Sequence, residues 1–464
     1  MKSKVSDRRD TISPARSAAF DILLRVEREA SYASELLHSQ RYDGLSAADH
    51  SLATEIVMGV LRWRSLLDSE IAAASSQPFS KLDLEVVTAL RIALYQLRYL
   101  DRIPAWAAIN GSVELVKRAR KRSAAPFANA ILRKLVSKPA AKNKEPAPTS
   151  DSSSPEKIAK NWAHPLWLVE HWTRAYGVEA AVEICGYDQT IPMTAIRLRD
   201  PQAEAQLRAQ GIELAPGAIL ASARIVQHGE ISKAAGFKQG RFVIQDEASQ
   251  LVAALVGEGA SILDCCAAPG GKTLAIADRD AHANIVAVEL HPHRARLLKR
   301  LLDPQPRDTN RGSCQIQVIA GDARNLPVAS KFERVLADVP CSGTGTLARN
   351  PEIKWRLEAA DLSDLQARQL AILGSAMKHV AIRGRLIYST CSLEKEENED
   401  VIERALAEDS SFRVLDCSTQ LGRLRQEGDL IWPDLASLTR GPFLRTIPGI
   451  HPCDGLFAAV LQKI

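Results

Sequence analysis

Two cysteines stand in short runs of small polar residues, Pro340-Cys341-Ser342-Gly343-Thr344-Gly345 and Thr390-Cys391-Ser392. Each run follows an apolar stretch with strand character, 333–339 in one case and 384–389 in the other. A lone cysteine is most often a small core residue. Two cysteines at strand ends, in loops without bulk, suit a thiolate nucleophile, which divides one difficult substitution into easier steps. Strand position does not say which of the two attacks.

A third apolar stretch, 261–266, runs into Cys266-Ala267-Ala268-Pro269-Gly270-Gly271-Lys272 and then a helical pattern over 272–279. Small residues let a ligand approach the backbone, and a helix start offers free amides. Gly271-Lys272-Thr273 is similar to the end of a P-loop, but Cys266 occupies the place of its first glycine and Pro269 has no amide to give. That argues against a nucleoside triphosphate. Acids instead close successive strands. Glu289, 25 residues after Asp264, is placed to accept ribose hydroxyls; Asp322 follows 315–320 and Asp338 ends 333–339. Such acids repel a pyrophosphate but suit adenosine joined to a cationic sulfonium, which points to S-adenosylmethionine. Alternatives stay open for single residues. Asp322 is equally placed to cap a helix. Arg294 could reach a cofactor carboxylate, support Glu289 or lie at the surface. Asp338 could serve the cofactor or the substrate.

Loops of this kind need a sheet whose strands end together. Strands at 261–266, 284–290, 315–320, 333–339 and 384–389 alternate with helices at 272–279, 292–302, 361–381 and 396–407. That alternation predicts a doubly wound, Rossmann-like parallel sheet over 241–464, with ligands outside the carboxyl ends of its strands. A helix from 396 would also place its N-terminus near Cys391 and favour the thiolate, against Glu394, Glu396 and Glu397.

Upstream, residues 1–138 read as all-α. Ser13-Pro14 is a cap followed by a first-turn proline, and Leu84, Val87, Leu90, Leu94 and Leu97 share one helical face. Pro104 opens a further helix, and a last one spans 127–136. Residues 139–157 are rich in Pro, Ser, Ala and Lys and read as a flexible linker. Residues 158–240, with Trp162, Trp167, Trp172 and a strand at 193–198, read as a small α+β connecting domain that contacts RNA.

Of the 464 residues, 46% are hydrophobic and 25% charged, as in a soluble globular chain. No apolar run reaches the roughly 18–20 residues that span a bilayer. The eight cysteines have no C-x-x-C spacing, so the usual zinc framework is missing. We expect a cytoplasmic monomer with neither metal nor membrane partner. The formal charge is +5, yet residues 1–138 hold 22 Lys and Arg against 15 Asp and Glu. The excess is densest at Lys117-Arg118-Ala119-Arg120-Lys121-Arg122, with Arg133 and Lys134 following. This suits a polyanion such as RNA, or a solvated helix face.

Taken together, these residues resemble the Sun/Fmu-type family of RNA cytosine carbon-5 methyltransferases. Cys266 to Lys272 is similar to the family's cofactor loop, and Glu289, Asp322 and Asp338 to its cofactor acids. Pro340-Cys341-Ser342 resembles the motif whose cysteine helps release product, and Thr390-Cys391-Ser392 the motif of the nucleophile. The resemblance therefore implies Cys391 as nucleophile and Cys341 as release helper. Gln245 to Ser249, Glu397-Asn398-Glu399 and Asp454 to Ala458 are also family-like, though Leu456 stands where phenylalanine is commoner. Ala15–Leu24, Leu90–Ile109 and Phe127–Leu135 resemble a NusB-type helical RNA-binding domain. That domain implies the bacterial subfamily acting on 16S ribosomal RNA of the small subunit. The alternatives are a relative acting on tRNA or another ribosomal cytosine, and an RNA-binding assembly factor with an inactive enzyme half. Retention of both cysteines argues against the latter.

Overall fold

The computed structural model describes residues 12–137, 154–200, 202–302 and 314–464, and the chain divides into two compact units. One comprises residues up to Ile191 together with Leu347–Arg356; the other comprises Pro192–Thr346 and Leu357–Ile464. Among the described residues no helix is long and apolar enough to cross a membrane.

The first unit is helical. Ser13 caps its first helix, Pro14–Glu29, by accepting the Arg16 amide, with Pro14 in the first turn. The helix Leu84–Tyr99 is buried from Val86 to Gln96, on all sides rather than on one face, because its neighbours surround it. Helices Pro14–Glu29, Ala47–Arg62, Ala105–Arg118 and Ala125–Val136 pack in the same apolar cluster, through Ile22, Ile56, Leu115 and Leu132. Residues 138–153, which include most of the expected linker 139–157, lie outside the described residues. Its last residues are helical, since Ser154 caps a helix at Pro155–Asn161.

The expected connecting domain 158–240 divides at Ile191. Helices Leu166–Tyr176 and Val178–Asp188 belong to the helical unit, with Trp172 fully buried and Gln189 donating to the Arg62 carbonyl at 3.2 Å. Segment Leu347–Arg356 also belongs there, although the sequence places it in the enzyme half. Its side chains satisfy orphan groups at helix ends. Trp355 Nε1 donates to the Leu61 carbonyl at 2.6 Å, and Lys354 Nζ to that of Arg62 at 3.0 Å. Arg356 donates to the carbonyls of Val26, Ala30 and Ser31, and Glu352 accepts the Ala33 amide at 2.7 Å.

The second unit carries two sheets. The small one, in the order β2-β3-β1-β4, is antiparallel and consists of β1 (Thr194–Leu198), β2 (Glu213–Pro216), β3 (Ala223–His228) and β4 (Phe242–Ile244). Arg197 and Arg199 each bond Asp278 at 2.7 Å, which ties this sheet to the helix Gly271–Arg279. The large sheet comprises β5 (Ser261–Asp264), β6 (Asn284–Glu289), β7 (Gln315–Ala320), β8 (Phe332–Asp338), β9 (Val380–Thr390), β10 (Phe412–Leu415), β11 (Thr439–Arg440), β12 (Phe443–Thr446) and β13 (Leu456–Lys463). Strands run β11-β12-β13-β9-β8-β5-β6-β7, with β10 also pairing β13. The five strands β5 to β9 are parallel, as expected. The flank is not: β13 is antiparallel to β9, β10 and β12. The order reverses between β5 and β8, which is where such sheets bind ligands.

Candidate active site

The β5 end is built for close approach. Gly270, at φ 111°, ends the loop and starts the helix Gly271–Arg279. A Cβ there would lie 2.7 Å from Leu298 Cδ1, so glycine meets both the angle and the space. The loop is pinned to its neighbours: the Cys265 amide donates to Leu336 O and the Ala267 amide to Val288 O, both at 2.9 Å. Ala268 and Pro269 follow at the half-open edge.

Lys272 and Thr273 point to acids, not to an open phosphate cradle. Lys272 Nζ lies 2.7 Å from Asp338 Oδ2, and Thr273 Oγ1 donates to Asp264 Oδ2 at 2.7 Å. Burial opposes the charge on Lys272, but Asp338, Cys391 and Asp264 hold its pKa above the ordinary lysine value. Ser389 donates to the other Asp338 oxygen at 2.7 Å, linking the ends of β8 and β9.

The acids converge on Cys266. Burial raises its thiol well above the ordinary range, and the charges of Asp264, Asp338, Glu289 and Asp322 raise it further. Glu289 is buried at the end of β6 and accepts the His291 amide at 2.9 Å. Asp322 caps the short turn Ala323–Asn325 through the Arg324 amide and pairs with the Arg324 guanidinium at 2.6 Å. These bonds hold its carboxyl below the usual range. The capping role left open for Asp322 is therefore present. Arg294 is exposed on the helix Pro292–Leu302, and Glu289 takes a backbone amide in its place. A sheet edge carrying these acids and a turn of small residues fits an adenosine cofactor carrying positive charge better than a polyphosphate.

The two cysteines meet at the neighbouring strand ends. Cys341 Sγ and Cys391 Sγ are 3.3 Å apart, and the Cys391 amide also donates to Cys341 Sγ at 3.3 Å. The hydrogen bond to Cys391, then burial and the Glu397 charge, push the Cys341 thiol well above its ordinary pKa. Gly345 donates to the Cys391 carbonyl at 2.9 Å, and the Gly455 amide donates to Gly345 O at 2.7 Å. A Cβ on Gly345 would lie 2.1 Å from Gly455 O, which explains the glycine in each loop.

The helix expected from 396 starts later, at Glu399. Asn398, at φ −117° and ψ −98°, interrupts it after the short turn Lys395–Glu397. Ser342, Gln369, Ser389, Ser392, Glu397 and Asn398 surround the cysteines and were not expected as a site. The signal was the family-like run Glu397-Asn398-Glu399.

Fold and site together are those of a Rossmann-like methyltransferase with an all-helical N-terminal domain. Residues 253–462 match the family described as 16S rRNA methyltransferase RsmB/F, and residues 13–137 match the NusB family. The probable ribosomal RNA small subunit methyltransferase B of Bacillus subtilis is 31% identical, over 97% of this chain and 98% of its own. Ribosomal RNA small subunit methyltransferase B of Pseudomonas putida is 32% identical, over 98% and 99%. The chain belongs to the RsmB/F family of ribosomal RNA methyltransferases. The crystal structure of PH0851 shares the fold across 98% of this chain and 99% of its own, with TM-score 0.76 at 22% identity. NSun6 from Pyrococcus horikoshii, solved with SFG, covers 64% of this chain and 98% of its own, with TM-score 0.54 at 18% identity.

Proposed function

We propose that this protein methylates carbon 5 of a cytosine in 16S ribosomal RNA, with Cys391 as the covalent nucleophile. The observation that carries the proposal is the pair of sulfurs 3.3 Å apart at the ends of adjacent parallel strands, beside an acid-lined cofactor loop. The cofactor is S-adenosylmethionine, which when bound supplies an electrophilic methyl group. Residues Cys266 to Lys272 would form the floor of its site and Glu289 would take the ribose hydroxyls.

Carbon 5 of cytosine is a poor nucleophile, and cysteine addition remedies this. Cys391 Sγ bonds to carbon 6, and the pair of the 5,6 double bond moves to carbon 5. Carbon 5 then takes the methyl carbon while the broken bond's pair stays on the departing sulfur. Finally the proton on carbon 5 leaves to a base, its pair restores the double bond, and Cys391 is expelled as thiolate. A protonated Cys341 donates to the Cys391 sulfur as it leaves. Asp338, held by Lys272 and Ser389, retains lone pairs for the cytosine amino group. The base must be unstacked for this attack, so the target lies in single-stranded or loop RNA.

Two variants test the roles. Cys391→Ser is expected to abolish transfer while still binding S-adenosylmethionine. Cys341→Ala is expected to trap RNA-linked protein, visible as a shifted band on a denaturing gel. Methyl transfer by Cys391→Ser, or no shifted band with Cys341→Ala, would contradict the assignment.

A further inference from the structure

Two adjacent residues hold the two cysteine loops, Glu397 chiefly the one around Cys341 and Asn398 the one around Cys391. Glu397 and Asn398 stand side by side, both fully buried. Glu397 Oε1 accepts the Ser342 amide at 2.8 Å, and Oε2 accepts the Ser342 hydroxyl. Gln369 Nε2 donates to Glu397 Oε1 at 2.8 Å and to the Pro340 carbonyl at 3.0 Å. Both neighbours of Cys341 are thus anchored through Glu397 or its partner Gln369. The other loop has its own anchors. Asn398 Oδ1 accepts the Thr390 hydroxyl at 2.5 Å, and Nδ2 donates to the Ser392 carbonyl at 2.9 Å. Arg445 adds a second bond to that carbonyl at 3.1 Å. The Ser392 hydroxyl joins the two sets by donating to Glu397 Oε2 at 2.5 Å.

We infer that Glu397 is the positioning residue for Cys341 and Asn398 the positioning residue for Cys391, so that adjacent residues govern opposite halves of the reaction. The inference rests on the cysteine roles proposed above. Asn398 sets the sulfur that bonds to carbon 6. Glu397 sets the thiol that assists release: a water takes the carbon 5 proton, the C–H pair restores the double bond, and the C6–S pair returns to Cys391. The Cys341 thiol donates its hydrogen bond to that sulfur without losing its proton.

Displacing a reacting group by about 1 Å costs on the order of 100-fold. With S-adenosylmethionine and unmodified 16S ribosomal RNA, Glu397→Ala should lose steady-state turnover by that factor. Its first round of methyl transfer should stay near wild type, and RNA-linked protein should accumulate. Asn398→Ala should slow the first round by a similar factor and trap nothing. Glu397→Gln keeps an acceptor for the Ser342 amide and should recover most of the turnover. Binding of S-adenosylmethionine checks that each variant is folded. Should Glu397→Ala fail to fold, Ser342→Ala removes one of the two Ser342 bonds to Glu397 and should trap a smaller amount. Slowing of the same phase by Glu397→Ala and Asn398→Ala would overturn the inference. So would a trapped adduct in Cys341→Ala with none in folded Glu397→Ala or Ser342→Ala, leaving the cysteine roles intact. No adduct in Cys341→Ala itself would overturn those roles first.

Discussion

Asp264 closes β5 just before the loop 266–272, and the effect of Asp264→Asn follows in sign and size from its surroundings. The side chain is buried, and Thr273 donates to Oδ2 at 2.7 Å, while Oδ1 gains no well-aligned hydrogen bond. Burial pushes the carboxyl pKa up to about 7; Asp338 adds to this, and Thr273, the Cys266 amide and Lys272 oppose it. In the unfolded chain the group titrates near its ordinary value of about 3.9. Between those values the folded chain holds a proton that the unfolded chain has released. Stability therefore falls as pH rises through the window and levels off above it. A gap of about three units amounts to about 4 kcal/mol. Asp264→Asn does not ionise and still accepts from Thr273. It should match wild type near pH 4 and gain on it up to pH 7, by as much as about 4 kcal/mol. Hydrogen exchange in β5 and β8 peptides across a urea series, from pH 4.5 to 8, reads this unit apart from the helical one. Parallel pH profiles for the two proteins would refute the reasoning.

Two further effects concern the helical unit. Arg356→Ala removes donors to three carbonyls at the end of the first helix and should destabilise the unit by about 2 kcal/mol, read as a lower melting temperature. An unchanged melt would show that Leu347–Arg356 is not an integral part of the unit. Within the basic cluster, Arg118 pairs with Asp21, Lys117 with Glu114 and Lys121 with Asp83, whereas Arg120 and Arg122 have no carboxylate partner among the described residues. If this surface contacts ribosomal RNA, Arg120→Ala and Arg122→Ala should each weaken binding and flatten its log-salt slope by about 1, and Lys117→Ala should do less. Slopes equal to that of the wild type in all three variants would remove the surface from the interface.

Strands β5 to β8 were legible within two residues or so because each is an apolar run closed by an acid or a glycine turn. The same reading put the acids and both cysteines at strand ends, where the structure has them, because each stands where an apolar run stops. The antiparallel strands β10 to β13 were missed. β10 and β12 are four residues each and β11 two, too short for a pattern, and β13 opens with six apolar residues in a row, which fit helix or strand. Leu347–Arg356 could not be assigned to the helical unit from sequence. Its anchors Lys354, Trp355 and Arg356 follow no period and find carbonyls roughly 300 residues earlier. Glu397 failed for a related reason. A carboxylate among Glu394, Glu396 and Glu399 reads as a solvated face, and its donors Ser342 and Gln369 lie 55 and 28 residues away.

The central claim is tested most directly by incubating the protein with S-adenosylmethionine and unmodified, protein-free 16S ribosomal RNA, then mapping methylated nucleosides by mass spectrometry. The account predicts 5-methylcytosine at a single position, lost with Cys391→Ser. Methylation on any other atom or base, or methylation that survives Cys391→Ser, would contradict it.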